Sequence, residues 1–234
     1  MAWFAISGCG NQENEAADVS SVPESFQFMD IGANTVMDSK VLKRLTAALG
    51  SYAINRRSTI DLELRYKGFL KTYYPDLAKL NQRLNVHDIV RKEYPANNLT
   101  FRNTRHLNTV FDYVEFIYGH ASGCPLLIKM IVKKEIPELI EDVKNRYGPP
   151  REIPISEGNS WSLSWRKNRD MFVIARIIGL SGRPEYHMMI VYTNRLEQLL
   201  ARSANEEQGR GRPADEIFTY YDAHNLIDTV SRDP

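Results

Sequence analysis

Ser160-Trp161-Ser162-Leu163-Ser164-Trp165 is the stretch on which the fold turns. Its strict alternation puts Trp161, Leu163 and Trp165 on one face of a strand and three hydroxyls on the other, the pattern of a half-buried strand in an antiparallel sheet. Downstream, Arg166 to Asp170 is a polar turn and Met171 to Ile178 is rich in β-branched residues. Gly179 to Glu185 carries two glycines and a proline before Tyr186 to Tyr192 resumes the strand pattern. A three-strand meander is expected. Thr193 or Asn194 stands where it can cap a closing helix with Leu196, Leu199 and Leu200 on one side.

Upstream the period changes to that of a helix. Between Pro137 and Tyr147 the residues Leu139, Ile140, Val143 and Tyr147, with Ile136 before them, fall on one face, and Glu138, Glu141, Asp142, Lys144 and Arg146 on the other. Pro137 suits a first helical turn, and Gly148-Pro149-Pro150 cannot continue the helix. Before it, Val110 to Tyr118 and Leu126 to Lys133 are β-rich runs joined by Gly119 to Pro125, which predicts a hairpin.

The N-terminal half is less regular. Asp38 or Ser39 can cap a helix from Lys40 to Leu49 with Val41, Leu45, Ala48 and Leu49 inward and Gly50 at its stop. Thr59 to Tyr66 alternates like a strand, and Pro75 starts a helix carrying Leu77, Leu80 and Leu84. Asn85 to Asn98 reads as loop, and Leu99 to Arg102 as a short edge strand. The expected fold class is therefore α+β: a mainly antiparallel sheet built as hairpin, helix, three-strand meander and helix, with a more helical N-terminal region. The corresponding organisation is 1–9 leader remnant, 10–37 acidic flexible tether, 38–105 mixed helical subdomain, 106–204 α+β core, and 205–234 linker and tail.

Residues Ile6-Ser7-Gly8-Cys9 follow an apolar stretch and resemble the lipobox of bacterial lipoproteins. The resemblance implies cleavage before Cys9, lipidation of its thiol, and a position in the cell envelope facing the periplasm. Gly10 after the cysteine favours the outer membrane by the same likeness. Two acyl chains suffice for stable anchoring. Only eight residues precede Cys9, fewer than a full leader holds, which a start codon placed too far downstream would explain. The stretch from Gly10 to Ser39 has six acids and no Lys or Arg, the composition of a solvated tether. The alternative is a short apolar N-terminus packed on a cytoplasmic domain, with Cys9 an ordinary thiol.

From Lys40 onward 30 bases face 23 acids, although the whole chain carries a net charge of only +1. The bases are scattered, with Arg56-Arg57, Lys133-Lys134 and Arg166-Lys167 as doublets, which excludes a nucleic-acid partner better than it excludes a pull toward anionic headgroups. The chain has no Walker loop, dinucleotide fingerprint, His-Glu-x-x-His or haem motif, so no cofactor, metal or catalytic residue is expected. His120 and Cys124, four apart in the hairpin loop, form a possible ligand or thiol site, because a nearby imidazole lowers a cysteine pKa. The competing reading of Cys124 is a small buried hydrophobe. His87, His106, His187 and His224 show no ligand spacing.

Tyr66, Phe69, Tyr73 and Tyr74, and in the tail Tyr220 and Tyr221, are a possible partner surface; helix packing explains the first group equally. The tail beyond Glu216 either folds back or docks elsewhere. Trp161 and Trp165 either line a groove or form core. Two functions stand: a noncatalytic lipoprotein acting as an accessory or scaffold subunit for a membrane-associated protein partner, and a small-ligand binder or thiol-dependent enzyme at the Gly119 to Pro125 loop.

Overall fold

The computed structural model describes residues 21–64, 68–85, 92–102, 109–155, 159–179 and 182–209. In chain order the elements are α1 (Ser39–Leu49), β1 (Tyr52–Asn55), β2 (Ser58–Thr59), α2 (Phe69–Tyr73), α3 (Pro75–Leu84), β3 (Glu93–Tyr94), β4 (Ala96–Arg102) and β5 (Tyr113–Gly119). They continue with β6 (Pro125–Val132), α4 (Pro137–Tyr147), β7 (Arg151–Ile155), β8 (Ser160–Lys167), β9 (Asp170–Ile178), β10 (Pro184–Val191) and α5 (Thr193–Gly209). The protein is α+β with a mainly antiparallel sheet. Among the described residues that sheet has eight strands in the order β1-β4-β5-β6-β10-β9-β8-β7, and β2 pairs separately with β3.

Register explains the core. Opposed residues Leu163, Ile174, Met188, Met130, Val114 and Phe101 make one apolar row across the strands. Trp165, Phe172, Ile190, Ile128, Phe116 and Leu99 make the next. Both rows belong to one buried cluster with Leu45 and Leu49 of α1 and Ile140 and Val143 of α4. Side-chain period two thus delivers a single continuous face to the two helices. Asp38 caps α1 by accepting from the Val41 N–H at 2.8 Å, and Gly50, at φ 90°, ends it where a side chain would be strained.

Several expectations change. Residues 22–37, assigned to a flexible tether, are a strap on this apolar face: Val22, Phe26, Ile31, Ala33 and Met37 are buried in the same cluster. Two of the six acids, Glu24 and Asp30, sit exposed between these anchors. The expected boundary at 105/106 is crossed by the sheet itself, because β4 pairs with β5 along its length. Far from an edge, β4 lies between β1 and β5.

Another change concerns the hydroxyl face. Ser160, Ser162 and Ser164 are buried, so β8 is covered on both sides. The cover is residues 58–64 with α2 and α3, whose Ile60, Leu62, Phe69, Leu70, Tyr74, Leu77, Leu80 and Leu84 are buried. Only Ser58 and Thr59 pair as a strand there; 60–64 joins no ladder. Side chains replace the ladder: Asn81 Oδ1 accepts from the Leu62 N–H at 2.8 Å, Asn85 Nδ2 donates to the Ile60 carbonyl, and Lys129 Nζ donates to the Glu63 carbonyl at 2.8 Å. Each backbone group so satisfied is one that a strand would have paired.

Finally, α5 runs through Asn205 to Gly209, which was expected to be linker. Ala204, Glu206, Glu207 and Gln208 are good helix formers, and the helix reaches the first glycine. The chain divides into two units, the first ending at Arg195 and the second beginning at Leu196. The described part of the second is the body of α5. The tail beyond it, including Tyr220, Tyr221 and His224, lies outside the described residues, as do Cys9, Tyr66, His87 and His106.

Candidate functional site

The hairpin loop between β5 and β6 holds His120 and Cys124. It is closed by its own backbone: the Gly123 N–H donates to the Gly119 carbonyl at 2.8 Å and the Gly119 N–H to the Cys124 carbonyl at 3.0 Å. The strap docks on it, with the Met37 N–H donating to the Gly123 carbonyl at 2.9 Å. Gly123 has φ 65°, a conformation that favours glycine, and a Cβ there would also crowd Val36 Cγ1 at 3.0 Å.

The two residues differ in exposure. Cys124 is only 2% exposed. Burial pushes its thiol above the ordinary value, and the Arg195 charge and the Ser122 hydroxyl offset this only in part. His120 is exposed, with Nδ1 3.4 Å from Asn97 Oδ1. A thiol that is both protonated and covered is a poor nucleophile, and the charges that reach it are those of Arg195 and Glu24. Cys124 packs as a small hydrophobe. Among the described residues there is no group of three or more His, Cys, Asp or Glu arranged to hold a metal ion.

The aromatic surface also changes. Phe69 is fully buried and Tyr74 nearly so, and the Tyr74 hydroxyl shares a 2.6 Å hydrogen bond with Ser162 Oγ, which donates onward to the Ile174 carbonyl. They fasten α2 and α3 to the sheet. Tyr73 is half-buried, its ring tilted against that of Phe69 with centroids 5.1 Å apart. Trp165 is buried too, its Nε1–H donating to the Gly148 carbonyl at 2.7 Å. Both tryptophans pack with the core, Trp161 at its margin.

What remains open is one sheet edge. Tyr52, Ala53, Ile54 and Asn55 of β1 are all exposed, Tyr52 at 40% and Ile54 at 48%. Half of the backbone groups of β1 point away from β4 and meet no strand among the described residues. A groove lined by Leu42, Thr46, Ala47 and Tyr52 runs between this edge and α1. The opposite edge, β7, is Arg151-Glu152-Ile153-Pro154-Ile155; its charges and its proline blunt strand addition. The sequence signal was available in Tyr52 to Asn55, but four residues after a helix stop are too short to read as a strand by period.

No protein-family model matches the chain, and comparison with curated proteins and with solved structures finds no significant match.

Proposed function

We propose that the protein is a noncatalytic accessory or scaffold subunit of the bacterial envelope, anchored by lipid on Cys9, facing the periplasm at the outer membrane, and binding a membrane-associated protein partner. The observation that carries the binding reading is the unblunted edge β1. Because β1 is exposed along its whole length and its outer side meets no strand among the described residues, the partner is read as a strand added to this edge, so main-chain hydrogen bonds supply affinity and Tyr52 and Ile54 supply contact. The exposed Arg56 and Arg57 directly after β1 favour an acidic flank on that strand. The buried, protonated thiol of Cys124 weighs against the enzyme reading.

The anchor rests on Ile6-Ser7-Gly8-Cys9. Among the described residues no helix is long and apolar enough to cross a membrane. The test is the intact mass of the protein isolated from its native membranes. A chain beginning at a diacylglyceryl Cys9 is expected; an unmodified chain that retains Met1 overturns the anchor. The partner surface is tested separately, by photocrosslinking from Ile54 in native membranes.

A further inference from the structure

Tyr52 and Ile54 of the open edge stand on the helix side of the sheet. In the β1–β4 register Tyr52 opposes Phe101 and Ile54 opposes Leu99, and both partners belong to the core face on which α1 packs. The Tyr52 ring lies 5.8 Å from that of Phe101. Ala53 and Asn55, opposed to Thr100 and Asn98, face the other way. On the helix side the edge ends in the shallow groove beside α1, whose wall is Ser39, Leu42, Lys43, Thr46 and Ala47.

A strand added to β1 continues its pleat. Every second side chain of that strand then enters the groove against Leu42, Thr46 and Ala47, and the alternate ones lie beside Ala53 and Asn55. The surface therefore suits a segment with apolar residues at every second position, a period that a helix does not supply.

Charge sets the ends of that segment. From Ser39 to Ile60 the chain has five bases, Lys40, Lys43, Arg44, Arg56 and Arg57, and no acid; all five are exposed. Lys43 and Tyr52 line the one groove, and Arg56 follows β1 without a break. Exposed ion pairs add little affinity, but a run of one sign steers encounter and rejects partners of like charge. A second copy of this chain would bring the same basic run against it. A bilayer surface offers no strand to the outward N–H and C=O groups of β1.

We propose that β1 and α1 together take an extended acidic segment of the protein partner. Its apolar residues, at alternate positions, seat against Leu42, Thr46 and Ala47, and Asp or Glu at its ends lies beside Lys43, Arg56 and Arg57. This inference rests on the proposed binding at β1 and names its chemistry.

The experiment uses the full chain in native membranes. Photocrosslinkers are placed singly at Ile54 and Ala47, both exposed, and the attachment points on the partner are mapped by mass spectrometry. Both sites are expected to attach within one segment, an even number of residues apart, with Asp or Glu flanking the attachments. Lys43→Glu/Arg56→Glu/Arg57→Glu should lower the adduct yield about fivefold or more, and Lys133→Glu/Lys134→Glu/Lys167→Glu, an equal reversal at exposed positions elsewhere, much less. Replacing the mapped acids by Lys should restore the adduct to the first variant. Attachments at the spacing of a helix face, a mapped segment without acids, or equal loss in both variants overturns the inference and leaves the partner binding standing. No adduct from Ile54 removes that binding reading and this inference with it. If the unlipidated chain then floats with phosphatidylglycerol vesicles and the first variant does not, the basic run belongs to a membrane surface.

Discussion

The hydroxyl of Ser25 donates a hydrogen bond to the carboxylate of Asp170, joining the strap to the start of β9 across 145 residues. Asp170 is fully buried. Burial raises its pKa above the ordinary 3.8, against the Ser25 hydroxyl and the backbone N–H groups of Asn194 and Thr193, which favour the charged form. Around the same junction the Tyr192 hydroxyl donates to the Phe26 carbonyl at 3.1 Å, and Arg195 Nε donates to the Ala33 carbonyl at 3.1 Å. The strap is latched by polar groups as well as seated by apolar ones.

Replacing Phe26 separates a strap from a tether. Phe26 is 1% exposed and also packs on Phe172 at 6.0 Å. Phe26→Ala is expected to cost about 3–5 kcal/mol in urea unfolding, whereas the same change in a solvated tether costs almost nothing. Ser25→Ala, which leaves a buried carboxylate short of a donor, is expected to cost about 1–3 kcal/mol.

The pH dependence of Asp170 has a definite sign. A carboxyl whose native pKa is raised binds its proton more readily folded than unfolded, so its contribution to stability grows as pH falls from neutrality toward 3.8 and is lost as pH rises through the raised native value. Asp170→Asn does not titrate. The melting temperature of the wild type minus that of Asp170→Asn should therefore increase on acidification from about pH 7 to about pH 4. A difference that shrinks on acidification would mean that hydrogen bonding, not burial, dominates at Asp170.

Cys124 is expected to resist alkylation in the native protein and to react only in denaturant, with peptide mapping to distinguish it from Cys9. His120→Ala should leave that rate unchanged, since the imidazole is exposed and the thiol is covered. Rapid native labelling of Cys124 that slows in His120→Ala would restore the thiol-site reading.

A photocrosslinker at Ile54 is expected to give a discrete adduct with one envelope protein in native membranes, and one at Glu152 on the blunted edge to give none. Ile54→Lys should abolish co-purification of that same protein while changing stability by no more than about 0.5 kcal/mol, because Ile54 is 48% exposed. Equal crosslinking from both edges would sink the β1 assignment.

The unpaired segment behind β8 makes the last expectation. Asn81 accepts from the Leu62 N–H and also donates to Asp61 Oδ1 at 3.2 Å. Asn81→Ala should cost about 1–3 kcal/mol, and hydrogen exchange at Leu62 should accelerate specifically.

Local signals carried much of this fold in the sequence alone. Proline at the first turn and glycine past the last bounded α4 correctly at both ends. A cap at Asp38 or Ser39 and a stop at Gly50 bounded α1 to within one residue, alternation located β8 and β10, and β-branched content located β9. Each of these depends on residues within a few positions of one another, so the chain determines them before it folds. Tertiary structure decided whatever depends on distant partners. The alternation of Ile60 and Leu62 was read correctly as burial but wrongly as strand pairing, because the groups that satisfy that backbone come from Asn81, Asn85 and Lys129. Serines at 160, 162 and 164 looked solvated because α2 and α3, far away in sequence, had not yet been laid over them. An acid-rich stretch became a strap because Phe26 and Ile31 met a face assembled from strands more than 60 residues downstream.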